Sequence, residues 1–548
     1  MPEDLKHECA MALLRLPAGN GRGDGGALLS LLLEKQRNRG QDGAGAATLT
    51  LAPESGMPAW QVFKAAGGES LATLISKLAG RKRLGETLFL GHLRYATYGR
   101  GDEAFCHPFV HVSPRLDRTL LLAGNFNLTN TGGLFEEFEG TGNHAASKAD
   151  GYILCELLAA GLEEGRSLPD ALRAILPRLD GAFTLCGMTG DGTAFAVRDA
   201  MGIRPGWYYA EDGAVAVASE RPAIQAAFDV PPDAVRELPP GEAMVVGRDG
   251  GVCFERVLAP ATRQSCVFER IYFSRANDAA IHRERKALGA ALAAPLLEAV
   301  GGNLADTFFS YIPNSAQVAF HGLLEALWTE GLAEGRPVRF GQIAVKDAKF
   351  RTFIADAEAR GGFYHHVYDV TYGLVRPGID TLVVLDDSIV RGNTMRNAIL
   401  PMLDRLGPRR IIVASSAPPI RYPDCYGIDM STLDELVAFR ALCHLLGPDS
   451  PRELRAALDD TDAPNPLKAL YARFSDARHS EEISRLLTPE GMKAEVTVLF
   501  QGVDALHAAC PGSAGDWYFT GDYPTEGGRR VLRRALENHL AHRDGRTY

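Results

Sequence analysis

Two adjacent carboxylates, Asp386 and Asp387, directly follow an apolar run, Thr381 to Leu385, that predicts a buried parallel strand. Ligands of open α/β sheets bind at the carboxyl ends of such strands. Aspartate side chains there can accept hydrogen bonds from sugar hydroxyls or help to hold a hydrated Mg²⁺. The loop from Ser388 to Thr394 leads into a predicted helix, whose backbone N–H groups can cradle a phosphate. This segment therefore predicts a site for a phosphorylated sugar, and the alternative is a plain βα turn with two solvated carboxylates.

The full string LVVLDDSIVRGNTM, residues 382 to 395, is more specific than a pair of aspartates. It resembles the phosphoribosyl pyrophosphate motif of type I phosphoribosyltransferases, in the DDSIVRGTT form of the glutamine phosphoribosylpyrophosphate amidotransferase family. Asn393 stands in place of a Thr of that motif. The resemblance implies that one Mg²⁺ per subunit binds near Asp386, Asp387 and Ser315. It also implies that phosphoribosyl pyrophosphate contacts Asp386, Asp387, Ser388, Arg391, Gly392, Asn393 and Thr394.

Three further segments resemble the transferase half of the same family. CVFERIYFSR, residues 266 to 275, resembles the segment that opens this domain. FSYIPNSAQVA, residues 309 to 319, resembles the loop on the pyrophosphate side, where Asn314 replaces a more usual Asp. KDAKFRTFI, residues 346 to 354, resembles a mobile loop that closes over the substrate, so Lys346 and Arg351 are expected as ligands. Closure would exclude water from a reactive C1 atom.

Cys9 gains meaning only from the segments that follow it, because most single cysteines are buried packing residues. RNRGQDGAG, GHLRYATYG, GNFNLTN and RDAMGIRPGWYY occur in that order between residues 37 and 209. Together they resemble the class II glutamine amidotransferase domain of the same family, an N-terminal-nucleophile hydrolase. The resemblance covers nearly all of the chain and implies ammonia transfer from glutamine to C1 of phosphoribosyl pyrophosphate, the entry reaction of purine synthesis.

The proposed nucleophile lies behind an eight-residue polar leader, MPEDLKHE. Members of the family often carry a short propeptide that ends in Glu, so removal of residues 1–8 is expected. Attack on an amide needs a thiolate and a nearby base. A free α-amine has a pKa near 7.7–8.0 and can serve as that base once Cys9 becomes the first residue.

The resemblance assigns roles to further residues of the glutaminase half. The Asn125 side chain and the backbone N–H of Phe126 are expected to stabilise the oxyanion. Glutamine is expected to contact Arg39, Arg94, Thr97 and Asp150, and the bland alternative for Arg94 and Asp150 is a surface ion pair. Phe126 replaces a usual Gly, and Gly124 replaces a frequent His. We expect Phe126 to have a negative φ, because an aromatic residue at positive φ is strained.

Two histidines in this half, His92 and His107, look catalytic in isolation. The predicted mechanism needs no imidazole, so both are interpreted as structural.

The elements that must position these residues fall into two groups. Residues 9–258 read as short strands between Gly and Asn turns with intervening helices, one of them from Asp150 to Ala160. With the resemblance, this predicts a four-layer αββα hydrolase domain of α+β type. A linker is predicted near residues 258–264. Residues 265–510 alternate helix and buried strand, which predicts an α/β parallel-sheet domain. A segment with an amphipathic terminal helix is predicted for residues 511–548.

Composition and net charge limit the partners and the location that are expected for this chain. The formal net charge is -10, which disfavours nucleic acid as a partner. No apolar stretch reaches the length of a membrane span. The nine cysteines are scattered without a CxxC pair, which favours reduced thiols and a cytoplasmic location. The resemblance adds a homo-oligomer, a dimer or tetramer, with purine nucleotides as inhibitors.

Some members of the family carry a structural [4Fe–4S] cluster on four cysteines. Here Cys266 matches one ligand, Cys425 is displaced by one residue, and Gly515 and Tyr518 stand where the last two ligands would be. A cluster needs its thiolates in register, so none is expected. Two alternatives to the enzyme remain open at this point. One is a regulator that binds phosphoribosyl pyrophosphate without catalysis, and the other is a paralogue with a different acceptor.

Overall fold

The fold comes from a computed structural model that describes residues 9–17, 24–51, 59–81, 85–95, 101–329, 333–346 and 368–543. The predicted leader, Thr97 and Arg351 lie outside the described residues. Only the backbone of Lys346 is described.

Two antiparallel sheets form the first part of the chain. The seven-stranded sheet has the order β11-β9-β10-β1-β4-β2-β3. Its strands are β1 (Ala10–Arg15), β2 (Gly43–Leu49), β3 (Trp60–Ala66), β4 (Leu88–Arg94), β9 (Trp207–Glu211), β10 (Ala214–Ala218) and β11 (Arg236–Glu237). The six-stranded sheet has the order β13-β12-β8-β7-β6-β5. Its strands are β5 (Phe109–His111), β6 (Leu120–Leu128), β7 (Gly181–Thr189), β8 (Ala194–Arg198), β12 (Glu242–Val246) and β13 (Val252–Arg256).

The two sheets face each other, and helices cover both outer faces. Met11 and Leu13 of β1 pack between the sheets against Leu121 and Ala123 of β6. The outer face of the first sheet packs on α1 (Gly25–Glu34), α2 (Ser70–Ala79) and α6 (Arg221–Phe228). The outer face of the second packs on α3 (Thr131–Gly140), α4 (Asp150–Glu163) and α5 (Leu168–Ile175). The order of layers is αββα, which confirms the fold class expected for this half.

The second part of the chain contains a five-stranded parallel sheet with the order β15-β14-β18-β19-β20. Its strands are β14 (Thr307–Tyr311), β15 (Arg339–Phe340), β18 (Thr381–Asp386), β19 (Arg410–Ser415) and β20 (Glu495–Phe500), and β16 (Ala344–Lys346) pairs separately with β17 (Tyr368–Val370). The neighbours β18 and β19 are parallel, which confirms the βαβ unit predicted from the apolar run.

Helices lie on both faces of the parallel sheet. One face packs on α8 (Ala293–Ala299) and α9 (Gln317–Thr329), and the other packs on α10 (Leu400–Asp404), α11 (Val437–Leu446) and α14 (Asp476–Leu487). Helix α7 (Ala279–Ala291) packs on α9, and a separate hydrophobic cluster contains residues of α12 (Ser450–Asp459), α13 (Lys468–Tyr471) and α15 (Val503–Ala509). The described residues contain no helix that is both long and apolar enough to span a bilayer.

The C-terminal segment contributes α16 (Trp517–Thr520) and α17 (Glu526–Leu540). The predicted terminal helix is amphipathic, and its apolar residues Val531, Leu532 and Leu536 are buried. Asp180 of the first part accepts hydrogen bonds from the Gly527 N–H at 2.8 Å and the Thr525 hydroxyl at 2.7 Å. A carboxylate at a helix N-terminus is favoured by the helix dipole, so this contact fastens the terminal helix to the first part of the chain.

Candidate active sites

The backbone before β1 places Cys9 between the two sheets. Ala10 pairs with Leu93 in an antiparallel register, which puts Cys9 opposite Arg94 at the end of β4. Met11 faces the space between the sheets, and residues two apart in a strand share a face. The Cys9 Sγ lies 4.0 Å from the carbonyl oxygen of Tyr95. Cys9 is therefore held at the end of the inter-sheet space, with its thiol near the Tyr95 peptide.

Charged groups around Cys9 oppose one another. The pKa of Cys9 is raised to about 11, and burial is the largest cause. The Tyr95 carbonyl contact and Arg94 act to lower this pKa, whereas Asp150 and Asp42 act to raise it. Asp150 is the first residue of α4, and Asp42 precedes β2. Arg94 and Asp150 thus lie close enough to act on the thiol. Asp42 was not singled out from the sequence, although it lies inside the quoted RNRGQDGAG segment.

Asn125 and Phe126 lie in β6, opposite Thr184 and Phe183 of β7. Asn125 is buried and shares a strand face with Leu121 and Ala123, which pack between the sheets. Phe126 points the other way and packs against the outer hydrophobic cluster. It is not among the described non-glycine residues with positive φ, which confirms the prediction of a negative φ. The bulky side chain is therefore accommodated without a strained backbone.

His92 and His107 are buried and lie beside this strand. Their rings stack with centroids 4.0 Å apart and an interplanar angle of 7°. The His92 Nε2 lies 3.0 Å from the Gly124 carbonyl oxygen, and the Gly124 N–H donates to His107 Nδ1 at 3.3 Å. Burial lowers the pKa of His92 to about 3 and that of His107 well below its usual range. Both rings are neutral near pH 7, in keeping with their interpretation as structural.

Arg39, which was expected to line the glutamine site, is buried and pairs with two carboxylates. Its side chain is 1% exposed and donates to Glu220 at 2.8 Å and to both oxygens of Glu269 at 2.9 and 2.6 Å. Glu220 precedes α6, whereas Glu269 belongs to the second part of the chain. Removing one partner of such a buried pair typically costs about 3–5 kcal/mol. Arg39 therefore joins the two parts of the chain.

The predicted phosphoribosyl site lies at the carboxyl end of β18. The Ser315 hydroxyl and the Ser388 hydroxyl each donate to one oxygen of Asp387, the latter at 2.7 Å. The Asp387 N–H donates to the Asp386 carboxylate at 2.9 Å. Burial and the neighbouring Asp387 charge raise the pKa of Asp386 well above its usual range. The structure brings Ser315, Asp386 and Asp387 together.

The loop that follows turns sharply into a helix. Gly392 has φ 79°, and a Cβ there would lie 2.3 Å from Leu487, so only glycine fits this turn. The helix begins at Asn393 and Thr394. A helix therefore starts six residues after Asp387, at the end of the loop that follows β18. Arg391 at the loop donates to Glu435 at 2.8 Å and to the Asp429 carbonyl at 3.2 Å.

A short chain of contacts joins the two sites. The Tyr95 carbonyl contacts the Cys9 thiol, and the Tyr95 hydroxyl donates to the Asp429 carboxylate at 3.3 Å. Asp429 in turn contacts Arg391 of the phosphoribosyl loop. Tyr95 was not singled out from the sequence, because its partner is 334 residues away. Only its place in the GHLRYATYG segment could have drawn attention to it.

The positions that correspond to cluster ligands hold a different arrangement. The Tyr518 hydroxyl lies 3.4 Å from the Cys266 Sγ, accepts from the Phe268 N–H at 2.8 Å and donates to the Gly515 carbonyl at 3.1 Å. Burial raises the pKa of Cys266 to about 11, so this thiol is protonated near pH 7. A four-thiolate cluster does not fit a position where a buried phenol contacts the one matching cysteine.

Comparison with known proteins gives the class of each part. Residues 107–226 match the family model of a glutamine amidotransferase domain. Over 94% of its length the chain superposes, with a TM-score of 0.69 and 26% identity, on 98% of a glutamine phosphoribosylpyrophosphate amidotransferase from Bacillus subtilis complexed with ADP and GMP. A second solved structure, described as the allosteric regulatory enzyme of purine biosynthesis, gives a TM-score of 0.70 over 94% of this chain and 96% of that one, also at 26% identity. The protein is thus a glutamine amidotransferase joined to a phosphoribosyltransferase-type domain.

Sequence relatives narrow the class. The chain is 32% identical over 413 residues to the amidophosphoribosyltransferase of Bacillus subtilis, covering 74% of this chain and 79% of the relative. It is 27% identical over 455 residues to the Escherichia coli enzyme of the same name, covering 78% and 85%. The chain belongs to the amidophosphoribosyltransferase family. It is an enzyme of the transferase class that uses glutamine.

Proposed function

We propose that this protein hydrolyses glutamine at Cys9 and transfers the released ammonia to C1 of phosphoribosyl pyrophosphate. The products are glutamate, 5-phosphoribosylamine and pyrophosphate, the first step of purine synthesis. The observation that carries the proposal is the pairing in one chain of a Cys9 site between two antiparallel sheets with an Asp386–Asp387 site on a parallel sheet. A contact through Tyr95 and Asp429 connects them.

In the glutaminase half, the Cys9 sulfur attacks the side-chain amide carbon of glutamine. Because its pKa is about 11 while buried, the thiol must lose its proton to a base at the moment of attack. The α-amine of Cys9, freed by removal of residues 1–8, is the proposed base. The Asn125 side chain and the Phe126 N–H stabilise the oxyanion, ammonia leaves, and water then hydrolyses the thioester to glutamate. Arg94 and Asp150 hold the carboxylate and the α-amine of glutamine, and Thr97 is proposed to line the pocket.

In the transferase half, ammonia attacks C1 of the sugar and pyrophosphate leaves. Asp386 and Asp387 hold the ribose hydroxyls, and the helix start at Asn393 and Thr394, with Ser388, Arg391 and Gly392, holds the phosphate. Lys346 and Arg351 are proposed to contact the pyrophosphate when their loop closes. Arg391 is engaged with Glu435 and Asp429, so its binding role requires that it exchange these partners for the substrate.

A Mg²⁺ ion fits beside Ser315, Asp386 and Asp387. Hard oxygen ligands suit this ion, and a cation would stabilise the ionised form of Asp386, whose pKa is raised well above its usual range by burial and by the neighbouring Asp387. Bound there, Mg²⁺ would neutralise charge on the pyrophosphate leaving group. The protein is proposed to lack an iron–sulfur cluster, and purified enzyme should contain far less than four iron atoms per chain. Stoichiometric iron with absorbance at roughly 400 nm would contradict this.

Further properties follow from the family and are part of the proposal. All nine cysteines lie among the described residues and are free thiols, which supports a reducing, cytoplasmic location. The Bacillus subtilis neighbour is a complex with ADP and GMP, so purine nucleotides are proposed as inhibitors of this chain. A homo-oligomer is proposed, as are a domain boundary near residues 258–264 and a C-terminal segment from residue 511.

The deciding experiment is incubation of the processed enzyme with glutamine, Mg²⁺ and phosphoribosyl pyrophosphate. We expect glutamate and pyrophosphate in equal amounts, and a mature chain whose mass begins at Cys9. Binding of phosphoribosyl pyrophosphate without turnover would instead identify a regulator. Glutamate release without pyrophosphate, restored by another phosphoribosylated acceptor, would identify a paralogue.

A further inference from the structure

In the second sheet, the pairing of β5 with β6 ends before Gly124, the residue that precedes Asn125. Phe109 of β5 pairs with Leu122 of β6, so continuing this register would place residue 107 opposite Gly124. The chain instead leaves the sheet at His107–Pro108. Gly124 lies two residues beyond the last β6 residue that pairs with β5, and its N–H and C=O, which point to this edge, need other partners.

Two histidine side chains supply these partners. The His107 Nδ1 accepts from the Gly124 N–H at 3.3 Å, and the His92 Nε2 lies 3.0 Å from the Gly124 carbonyl. Because a carbonyl only accepts, His92 must carry its proton on Nε2, and His107 must carry its proton on the nitrogen other than Nδ1. The stacked rings therefore hold both backbone groups of one residue from the same side.

The contact made by His92 crosses from one sheet to the other. His92 belongs to β4 of the first sheet, two residues before Arg94 and opposite Met11. Gly124 belongs to β6 of the second sheet and directly precedes Asn125. The same hydrogen bond therefore fixes the distance between the strand that carries Arg94 and the strand that carries the oxyanion donor.

Phe126 completes the arrangement from the outer face. Its ring centroid is 5.5 Å from that of His107. A Cβ on Gly124 would lie 2.9 Å from the Phe126 ring, 2.8 Å from the Thr184 carbonyl and 2.7 Å from Leu185. Position 124 therefore has no room for a side chain while Phe126 is present. The imidazole groups next to Asn125 belong to His92 and His107, which come from other parts of the chain.

We propose that His92 and His107 are positioning residues for glutamine hydrolysis, which hold the Gly124 peptide so that the Asn125 amide and the Phe126 N–H point at the developing oxyanion. Residues two apart in a strand direct their N–H groups to the same edge, so the Phe126 N–H faces the edge at which the histidines hold Gly124. The inference rests on the proposed function of Cys9, Asn125 and Phe126. Neither histidine exchanges a proton with the substrate in this role.

The test uses matched substitutions in the full-length enzyme. A Gln side chain can place a donor near His92 Nε2, and an Asn side chain can place an acceptor near His107 Nδ1. His92→Gln and His107→Asn should therefore keep the glutaminase kcat within about fivefold. His92→Leu and His107→Leu should lower it by roughly tenfold to a hundredfold, less than or comparable to loss of an oxyanion donor. The KM for glutamine should change by less than about threefold, because Arg94 and Asp150 are untouched.

Two further measurements separate this role from simple packing. Alkylation of Cys9 by iodoacetamide forms no oxyanion, so its rate should be unchanged in all four variants. The ammonia-dependent activity should also be unchanged. If the Leu variants fail to fold, His92→Asn and His107→Gln keep a polar group of the wrong length and should show the same selective loss of kcat.

Other outcomes would overturn the inference. A wild-type kcat in the Leu variants would show that Gly124 needs no such support. Parallel loss of alkylation, ammonia-dependent activity and melting temperature, without rescue by the matched polar variants, would show that the rings only pack. A wild-type enzyme without any glutaminase activity would refute the proposed function instead, which is a distinct result.

Discussion

Beside Asn125 in the glutaminase half the two histidine side chains are buried and neutral, whereas the groups around Asp387, at the carboxyl end of β18, are carboxylates and a guanidinium group. His92, His107 and Asn125 are all less than 9% exposed, and both imidazoles are neutral near pH 7. At the other site Asp386 and Asp387 adjoin, and Arg391 is bound to Glu435. The strand that carries Asn125 is thus held by hydrogen bonds to neutral rings, while the second site places two carboxylates side by side.

The contrast corresponds to two ways of preparing a site for chemistry. Buried neutral groups fix the direction of donors before the substrate arrives, so that no reorganisation is needed in the transition state. Adjacent carboxylates repel one another and become favourable only when a cation and an anionic ligand bind. The glutamine site should therefore respond to loss of shape and of hydrogen bonds, and the phosphoribosyl site to loss of charge.

The largest effect is expected from Cys9→Ala in a chain that begins at residue 9, which separates the activities of the two sites. Glutamine-dependent turnover should fall by at least about a thousandfold, because the nucleophile is removed. Ammonia-dependent turnover should persist, because the Asp386–Asp387 site is untouched. Product assays with glutamine and with ammonium chloride measure both. Equal loss of the two activities would mean that the sites are not separate.

The next prediction tests whether the phosphoribosyl site binds its substrate through the charges of Asp386 and Asp387. Asp386→Asn combined with Asp387→Asn should lower kcat/KM for phosphoribosyl pyrophosphate by about a hundredfold, since ligands to Mg²⁺ and ribose are weakened. Basal hydrolysis of glutamine at Cys9 should not change. The exposed pair Asp459→Asn with Asp460→Asn is the matched control. Unchanged kinetics in the Asp386 and Asp387 variant would reduce the motif to a turn.

A smaller effect is expected where the two sites meet. Tyr95→Phe removes the hydroxyl that donates to Asp429 but keeps the carbonyl next to Cys9. We expect stimulation of glutamine hydrolysis by phosphoribosyl pyrophosphate to decrease by roughly tenfold, or about 1.4 kcal/mol of coupling. Tyr372→Phe, at a tyrosine that is 64% exposed, is the control. Full stimulation in Tyr95→Phe would show that the sites communicate by another route.

The sequence predicted those parts of the fold and sites that depend on local pattern. The apolar run before Asp386 predicted the central strand, and Gly392 marked the turn into the helix. The pairing of Arg39 with Glu269 was not predicted, because a motif identifies a residue but not the partner that neutralises it, and Glu269 is 230 residues away. The Tyr95–Asp429 contact was missed for the same reason. Long-range pairing of polar groups depends on how the two halves pack, which no local pattern contains.

The smallest predicted effect concerns the neutrality of the buried histidines. The pKa of His92 is about 3 in the folded chain against about 6.5 when exposed, and burial is the main cause. Between these values the unfolded chain binds a proton that the folded chain rejects. The stability contributed by the neutral ring is therefore fully present above about pH 6.5 and is lost as the pH falls below it. His107 changes in the same direction.

For His92 alone, the linkage relation gives a loss of about 0.8 kcal/mol in the free energy of unfolding between pH 7.5 and pH 6.0. His92→Gln keeps a hydrogen-bond donor for Gly124 but does not titrate. Between pH 7.5 and pH 6.0 the free energy of unfolding of this variant should therefore fall by about 0.8 kcal/mol less than that of the wild type. His542→Gln, at an exposed histidine, should follow the wild type. Urea unfolding of the three proteins at both pH values measures the difference. If His92→Gln lost stability as steeply as the wild type, the ring would be charged or hydrated in the folded state, and the contrast between neutral rings beside Asn125 and adjacent carboxylates at the phosphoribosyl site would fail at His92.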